Sequence, residues 1–231
     1  MRLPSPKAIP VSAFWISLPR AANCFAQPGH LLKHLKTLNR SAALIVVDVQ
    51  IGFDDAIWGA RNNPQAEARI AQLLQAWRQS AAPVIHVHHH SQSATGSFQP
   101  GLRGSQPKPE ARPRGDEPVY KKHVNSAFIG TELEADLRRR GIQTVVIVGL
   151  STNHCISTTV RMAGNLGFET FVVADATATF DRPGADGRLR PAEEVHNAAL
   201  GDLQEEFAEV VDTASVIGAL TRFGTESMTI A

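Results

Sequence analysis

Short runs of apolar residues alternate along this chain with longer segments in which apolar residues recur every three or four positions. The first pattern is typical of strands buried on both faces of a parallel sheet, and the second is typical of amphipathic helices. The apolar runs are Leu44–Val47, Pro83–His88, Thr144–Val148, Phe171–Ala174 and Val210–Val211. Because strands and helices alternate, the pattern predicts an α/β fold with a doubly wound parallel sheet in a three-layer α/β/α sandwich.

Helical spacing and terminal signals predict the connecting helices. An apolar stripe that ends at Trp77 follows Pro64 and indicates a helix of roughly Pro64–Gln79. A second helix is predicted over Glu132–Arg140, and Pro191 is expected to open another. A polar loop rich in proline and glycine extends from Ser91 to Glu117. Loops of this length are usually functional lids or mobile segments.

The segment from Thr144 to Phe180 predicts a strand, a tight turn, a helix and a second strand. Gly149 interrupts the first strand, and the side chains of residues 151–153 are expected to cap the helix. Gly167 then stands where a left-handed C-cap is needed. Strand, helix and strand in this order form a right-handed parallel crossover unit.

Cys155 lies in the first turn of that helix, at the edge where open α/β sheets bind ligands. The helix N-terminus is expected to lower the pKa of the thiol and favour the nucleophilic thiolate. A small buried hydrophobic residue is the alternative interpretation.

Two charged residues are candidates to work with this cysteine. Asp48 ends an apolar strand, where burial of a carboxylate is expensive unless it is paired. It could orient a neighbouring loop, or it could serve as general base for Cys155. Lys121 and Lys122 are adjacent, so only one of them can point inward on an extended segment.

Three ordered motifs resemble the isochorismatase-like hydrolases, the superfamily that includes nicotinamidases and N-carbamoylsarcosine amidohydrolases. They are AALIVVDVQ at 42–50, KHVNSAFIGT at 122–131 and GLSTNHC at 149–155, and the resemblance covers about residues 42–221. It implies a catalytic triad of Asp48, Lys122 and Cys155, with Lys121 left as a solvated charge. It also implies a cis peptide bond before Ser151 and an oxyanion hole formed by the N–H groups of Ser151 and Cys155.

The implied function is a cysteine hydrolase that cleaves an amide, ureido or carbamoyl C–N bond through a thioester. Some members of the superfamily lack the cysteine and cleave the vinyl ether of isochorismate, and Cys155 argues against that branch. A catalytically silent oligomeric module is the other alternative, since a fold alone does not confer function. The presence of Asp48, Lys122 and Cys155 together disfavours it.

Aromatic and histidine residues near the three motifs are candidates for the substrate pocket. They are Phe53, Trp58, His90, Phe128 and His154. On a strand, His86, His88 and His90 share one face at intervals of about 6.6 Å. Nicotinamidases bind a metal near this strand through a downstream Asp-x-His segment, but residues 91–115 contain neither Asp nor His. No metal and no cofactor are therefore expected, and His86 and His88 are expected to pack within the sheet layers.

Composition restricts the partners of the protein. Its 231 residues carry a net charge of +1, which indicates neither a nucleic acid nor a membrane surface as partner. Two distant cysteines, Cys24 and Cys155, favour a reducing compartment, here the cytoplasm. The expected partners are a small amide-type substrate and further copies of the chain, in a dimer or tetramer.

The first 40 residues differ in kind from the rest. No Asp or Glu precedes Asp48, and five prolines interrupt the segment. We interpret residues 1–40 as an N-terminal extension, poorly ordered or bracing an oligomer, in preference to a targeting segment. Residues 41–231 are then the hydrolase domain.

Overall fold

The structure is a computed structural model that describes residues 38–93 and 95–226, with side chains as far as residue 220. Six of its strands form a single parallel sheet in the order β3-β2-β1-β4-β5-β8. These strands are β1 Ala43–Val47, β2 Val84–His89, β3 Val119–Lys122, β4 Thr144–Leu150, β5 Glu169–Ala178 and β8 Glu209–Val211. A separate antiparallel ribbon pairs β6 Arg182–Pro183 with β7 Leu189–Arg190.

Helices cover both faces of the sheet. They are α1 Ala66–Gln79, α2 Leu133–Arg139, α3 Ser157–Asn165, α4 Ala192–Gly201 and α5 Thr213–Glu226. One apolar core joins α1 and α5 to one face of the sheet, and a second core joins α2, α3 and α4 to the other face. The predicted doubly wound three-layer sandwich is therefore confirmed.

The chain enters the sheet at its centre. From β1 it proceeds outward through β2 to β3, and then returns to place β4 on the other side of β1. The carboxyl ends of β1 and β4 therefore meet where the winding direction reverses, which is the usual ligand site of such sheets. Gly149 permits this close approach, because a Cβ atom there would lie 1.9 Å from the carbonyl oxygen of Val47.

The start of the central helix differs from the prediction. The backbone forms a π-helical turn over Thr152–Ile156, and α3 begins only at Ser157. The side chain of Ser151 makes no capping hydrogen bond, so the expected N-cap role for this residue is wrong. At the other end, Gly167 has a φ of 81°, which confirms the predicted left-handed cap.

The long loop between β2 and β3 is fastened to the strand-end segment that follows β1. Ile51 donates a backbone hydrogen bond to Gln106 at 2.9 Å, and Lys108 donates one to Val49 at 2.9 Å. Short 3₁₀ turns occur within the loop at Arg103–Ser105 and Pro109–Ala111. The loop thus contributes fixed residues to the carboxyl edge of the sheet.

Within the described ranges, none of the helices combines the length and apolar character needed to cross a bilayer. Residues 1–37 of the predicted extension, including Cys24, lie outside those ranges. The domain boundary at residue 40 therefore stays a prediction.

Candidate active site

Three strand ends bring Asp48, Lys122 and Cys155 together. Asp48 follows the last residue of β1 and has a φ of 55°, a left-handed conformation that Asp tolerates better than most residues. Lys122 is the last residue of β3, two strands away, and its side chain is fully buried. Cys155 lies in the π-helical turn after β4.

The ammonium group of Lys122 is the centre of this cluster. Its Nζ lies 2.6 Å from Asp48 Oδ2 and donates to Cys155 Sγ at 3.2 Å. It also contacts His89 Nδ1 and the carbonyl oxygen of Val124, each at 3.2 Å. The adjacent Lys121 is exposed, so the structure selects the same lysine as the motif spacing.

Burial controls the acid–base properties of the site. Removal from water raises the pKa of Asp48 above its ordinary value, although the Lys122 charge partly offsets this effect. Burial also raises the pKa of the Cys155 thiol to about 12, and the Asp48 carboxylate adds to the rise. The sequence-based expectation of a lowered thiol pKa is therefore wrong for the free site. The raised pKa favours a protonated thiol, and its Sγ lies 3.8 Å from the acceptor Asn125 Oδ1 as well as beside the Asp48 carboxylate.

Two side-chain contacts hold the turn that carries Cys155. The peptide bond between Leu150 and Ser151 is cis. Thr152 Oγ1 lies 2.9 Å from Nδ1 of the buried His196 on α4. Thr179 Oγ1 donates to Asn153 Oδ1 at 2.5 Å. These contacts fix the backbone N–H groups of the turn relative to the thiol.

A cavity of about 160 Å³ opens directly above the cluster. Its lining comprises Asp48, Phe53, Trp58, His89, Phe98, Asn125, Ser151, His154 and Cys155. The rings of Phe53 and Trp58 are 5.1 Å apart, and those of Phe53 and Phe98 are 4.8 Å apart. One wall is therefore aromatic and the facing wall is polar, an arrangement suited to a small planar molecule.

Three of the five predicted pocket residues line this cavity, namely Phe53, Trp58 and His154. His154 is also hydrogen-bonded through Nε2 to Arg182 of the β6–β7 ribbon. Phe128 instead stacks on Phe168 in the core beside α2, at a ring distance of 6.0 Å. His90 lies outside the lining, beside His123, because its side chain alternates to the other face from His89.

The remaining histidines of the run lie on that same other face. His86 is completely buried, and its Nε2 lies 2.9 Å from Glu117 Oε2. The ring of His88 lies 6.3 Å from that of His86. Both positions agree with packing against the sheet layers.

Sequence reasoning missed two residues of the lining, namely His89 and Phe98, whereas Asn125 beside the lysine motif could be expected either to meet a ligand or to shape the loop. A signal for His89 was present, since it continues the alternation of Ile85 and Val87, which are buried against the α2–α4 side. Phe98 is the sole aromatic residue in the loop from Ser91 to Glu117. Its position in the wall depends on how that loop folds back.

Asp48, His89 and Cys155 also have the donor types of a zinc site. One ligand atom from each lies within 4.8 Å of the other two. However, Lys122 Nζ already contacts Asp48, His89 and Cys155 at 2.6–3.2 Å. A second cation between these atoms would be repelled by the ammonium group, so the residues do not fit a metal ion.

Comparison with known proteins agrees with this architecture. The isochorismatase domain matches residues 42–215. The isochorismatase family protein YrdC of Bacillus subtilis is 43% identical over 78% of this chain and 96% of its own length. A crystal structure of an isochorismatase-family protein from Chromobacterium violaceum has a TM-score of 0.80 and 43% identity, and covers 82% of this chain and 98% of its own.

Two relatives are named for an activity. Nicotinamidase 3 of Arabidopsis thaliana is 29% identical, over 75% of this chain and 86% of its own length. Ureidoacrylate amidohydrolase RutB of Methylobacterium radiotolerans is 28% identical, over 77% of this chain and 78% of its own length.

The fold and the site together define a doubly wound α/β protein with an Asp–Lys–Cys cluster at its topological switch point. The domain match extends over most of the chain. The chain therefore belongs to the isochorismatase family of hydrolases.

Proposed function

We propose that this protein is a cysteine-dependent amidohydrolase that cleaves an amide, ureido or carbamoyl C–N bond of a small molecule. The observation that carries the proposal is the contact of Lys122 Nζ with both Asp48 and Cys155, at 2.6 and 3.2 Å, beneath a small cavity. A nucleophile, a base and a cation converge on the place where a carbonyl group could lie.

The first half-reaction begins with a proton transfer. Asp48 takes the proton of the Cys155 thiol, helped by the raised pKa that makes this carboxylate a stronger base than an exposed one. The sulfur attacks the carbonyl carbon and forms a C–S bond. The N–H groups of Ser151 and Cys155, together with Lys122, stabilise the oxyanion. The C–N bond then breaks, and the proton on Asp48 moves to the leaving nitrogen.

The second half-reaction releases the acyl group. Asp48, ionised again, takes a proton from a water molecule that attacks the thioester. The C–S bond breaks, the carboxylic or carbamic acid leaves, and the proton returns to the Cys155 sulfur. The polar wall holds this water while the aromatic wall holds the flat acyl group.

The two alternative functions have weaker support. A vinyl ether hydrolase of the isochorismatase type does not need a thiol in contact with the lysine. A silent module does not need a buried ion pair, which is costly to keep unless it serves a purpose. A homo-oligomeric state and a cytoplasmic location remain predictions.

The proposal is tested by ammonia release over a panel of small primary amides, ureas and carbamoyl compounds. With any substrate found, acid-quenched intact mass spectrometry should show an acyl adduct on Cys155. Hydroxylamine should intercept that adduct as a hydroxamate. The control is Cys155→Ala, whose folding is verified by thermal melt. It should show neither adduct nor turnover. Turnover of isochorismate without an adduct would overturn the proposal in favour of the ether-cleaving alternative.

A further inference from the structure

His89 contacts the catalytic lysine, although the mechanism above gives it no task. It is the last residue of β2 and the register partner of Lys122 on β3. The buried side chain of Gln50 holds the backbone of His89 through two hydrogen bonds. Gln50 Oε1 accepts from His89 N at 2.8 Å, and Gln50 Nε2 donates to His89 O at 3.0 Å. The backbone from which the His89 ring projects is therefore held in place.

The contact with Lys122 determines which ring nitrogen carries the proton. An ammonium group has three N–H donors and no acceptor. At 3.2 Å from Lys122 Nζ, an unprotonated His89 Nδ1 makes a favourable contact as an acceptor, whereas a hydrogen on Nδ1 would point at the ammonium group. The proton of the neutral ring is consequently on Nε2.

The surroundings also keep the ring neutral. Burial lowers the pKa of His89 to about 4, and the positive charge of Lys122 adds to this effect. A second proton would have to enter at Nδ1, directly against the ammonium group. His89 therefore acts as a fixed donor through Nε2–H.

That donor belongs to a residue that lines the cavity, and it has no hydrogen-bond partner among the described residues. His89 lines the cavity, and its ring meets Phe98 edge to face at 5.8 Å. Among residues 38–93 and 95–220, whose side chains the structure describes, no acceptor is found within hydrogen-bond distance of His89 Nε2. The donor is left for a ligand, and the aromatic wall at Phe53 and Phe98 restricts that ligand to a flat shape.

We propose that His89 is a specificity-determining residue whose Nε2–H donates a hydrogen bond to the substrate. The substrate class is then a small, flat, neutral amide that carries an acceptor atom in addition to its scissile carbonyl group. This inference rests on the proposed function for the identity of the site as an amide site. It goes beyond that function because it names the feature by which the site selects among amides, namely a second acceptor atom.

A binding experiment separates this inference from the question of turnover. Cys155→Ala protein is titrated calorimetrically with benzamide and the three pyridinecarboxamides. Each pyridinecarboxamide has the shape of benzamide but carries one ring nitrogen, an acceptor, at a different position. Benzamide has no ring acceptor and serves as the reference. At least one isomer should bind about 10-fold or more tightly than benzamide, a typical gain for satisfying an otherwise unpaired donor.

Two variants of the Cys155→Ala protein provide the matched pair. His89→Phe should remove the preference for the acceptor, because the ring remains while the N–H is lost. His90→Phe, one residue further along the chain and outside the lining, should keep it. Equal binding of all four amides, including no binding at all, would overturn the proposal, as would a preference that survives in His89→Phe.

The tautomer is measured independently by ¹⁵N NMR of histidine-labelled protein, with His89 assigned from its variant. The Nε2–H tautomer is expected to be the main form at pH 7. Its population should fall in Lys122→Met, because the ammonium group beside Nδ1 is removed. An Nδ1–H tautomer or a doubly protonated ring in the unsubstituted protein would also overturn the proposal. None of these results depends on whether an acyl adduct forms on Cys155, so failure of the proposed function is seen separately.

Discussion

Lys122 and Lys108 are both buried among the described residues and both are paired with carboxylates, yet their surroundings differ. Lys122 Nζ lies 2.6 Å from Asp48, whose pKa is nevertheless raised by burial. Lys108 Nζ lies 2.5 Å from Asp54 and 2.7 Å from Glu67. Burial would raise the pKa of Glu67 too, but Arg61 and Lys108 together lower it.

The difference lies in how many cations each carboxylate meets. Glu67 accepts from Arg61 at 2.8 and 3.0 Å as well as from Lys108, so its charge is fully compensated. The single cation beside Asp48 also contacts a thiol and an imidazole, and Asp48 is almost completely buried. The Lys108 cluster is therefore built to fasten the β2–β3 loop, whereas the Lys122 cluster keeps a basic carboxylate beside a thiol.

The largest effect is expected from removal of the nucleophile. Cys155→Ala should lower amide turnover by about 10⁴-fold or more, because losses in a coupled catalytic unit are of this order. The double variant with Asp48→Asn and Cys155→Ala should have almost the same turnover as Cys155→Ala alone, since the base has no thiol left to activate. Steady-state ammonia release for the two single variants and the double variant measures this, with folding checked by thermal melt. Fully additive losses would show that the two residues act independently.

Exchanging the two lysines for methionine should separate catalysis from stability. Lys122→Met should reduce turnover by about 10²–10³-fold, the usual loss for one oxyanion-stabilising donor. Lys108→Met should leave kcat nearly unchanged but lower the free energy of unfolding by about 1–3 kcal/mol. Denaturant unfolding and steady-state kinetics on both variants test the contrast. A large fall in kcat for Lys108→Met would mean that the loop cluster takes part in the chemistry.

The pH dependence of turnover should reflect the raised pKa of Asp48. As a base Asp48 must be ionised, so kcat/KM should fall as the pH drops through an apparent pKa above the ordinary 3.8 of an aspartate. This pKa belongs to the coupled cluster and should move in Lys122→Met, which removes the offsetting charge. A pH–rate profile with stability controls provides the measurement. An acid limb at or below 3.8 would exclude Asp48 as the raised-pKa base.

The pKa of Glu67 is shifted in the opposite direction from that of Asp48, and the consequence should appear in the free energy of unfolding. A carboxylate with a folded-state pKa below its unfolded value of 4.5 stabilises the fold above about pH 4.5, and this stabilisation is lost as the pH falls. Glu67→Gln should therefore lower the free energy of unfolding by about 1–2 kcal/mol at pH 7 and by less near pH 3. Unfolding curves across this range test it. A constant difference at all pH values would contradict the lowered pKa.

No effect is expected from removal of metal ions. The cation between Asp48, His89 and Cys155 is the ammonium group of Lys122. Treatment with EDTA should leave turnover unchanged, and added zinc should not increase it. Activity that vanished with EDTA and returned with zinc would show that these residues hold a metal in the working enzyme.

The sequence by itself determined the fold class and the residues that meet at the switch point. Strand periodicity is local, since an apolar run such as Thr144–Val148 is recognisable without its neighbours. The motifs around Asp48, Lys122 and Cys155 fix residue types at strand ends, and parallel strands of one sheet bring those ends to a single edge.

Only the tertiary structure decided what surrounds those residues. The strand boundary and register place His89, and not His90, against Lys122. Phe98 reaches the wall because a distant loop is fastened to the segment after β1, a long-range arrangement that local pattern does not encode. The pKa of Cys155 likewise rises to about 12 because neighbouring elements exclude water, an effect that outweighs the helix N-terminus beside it. Burial is a property of the assembled fold, and for this reason the residue types were predictable while their protonation states were not.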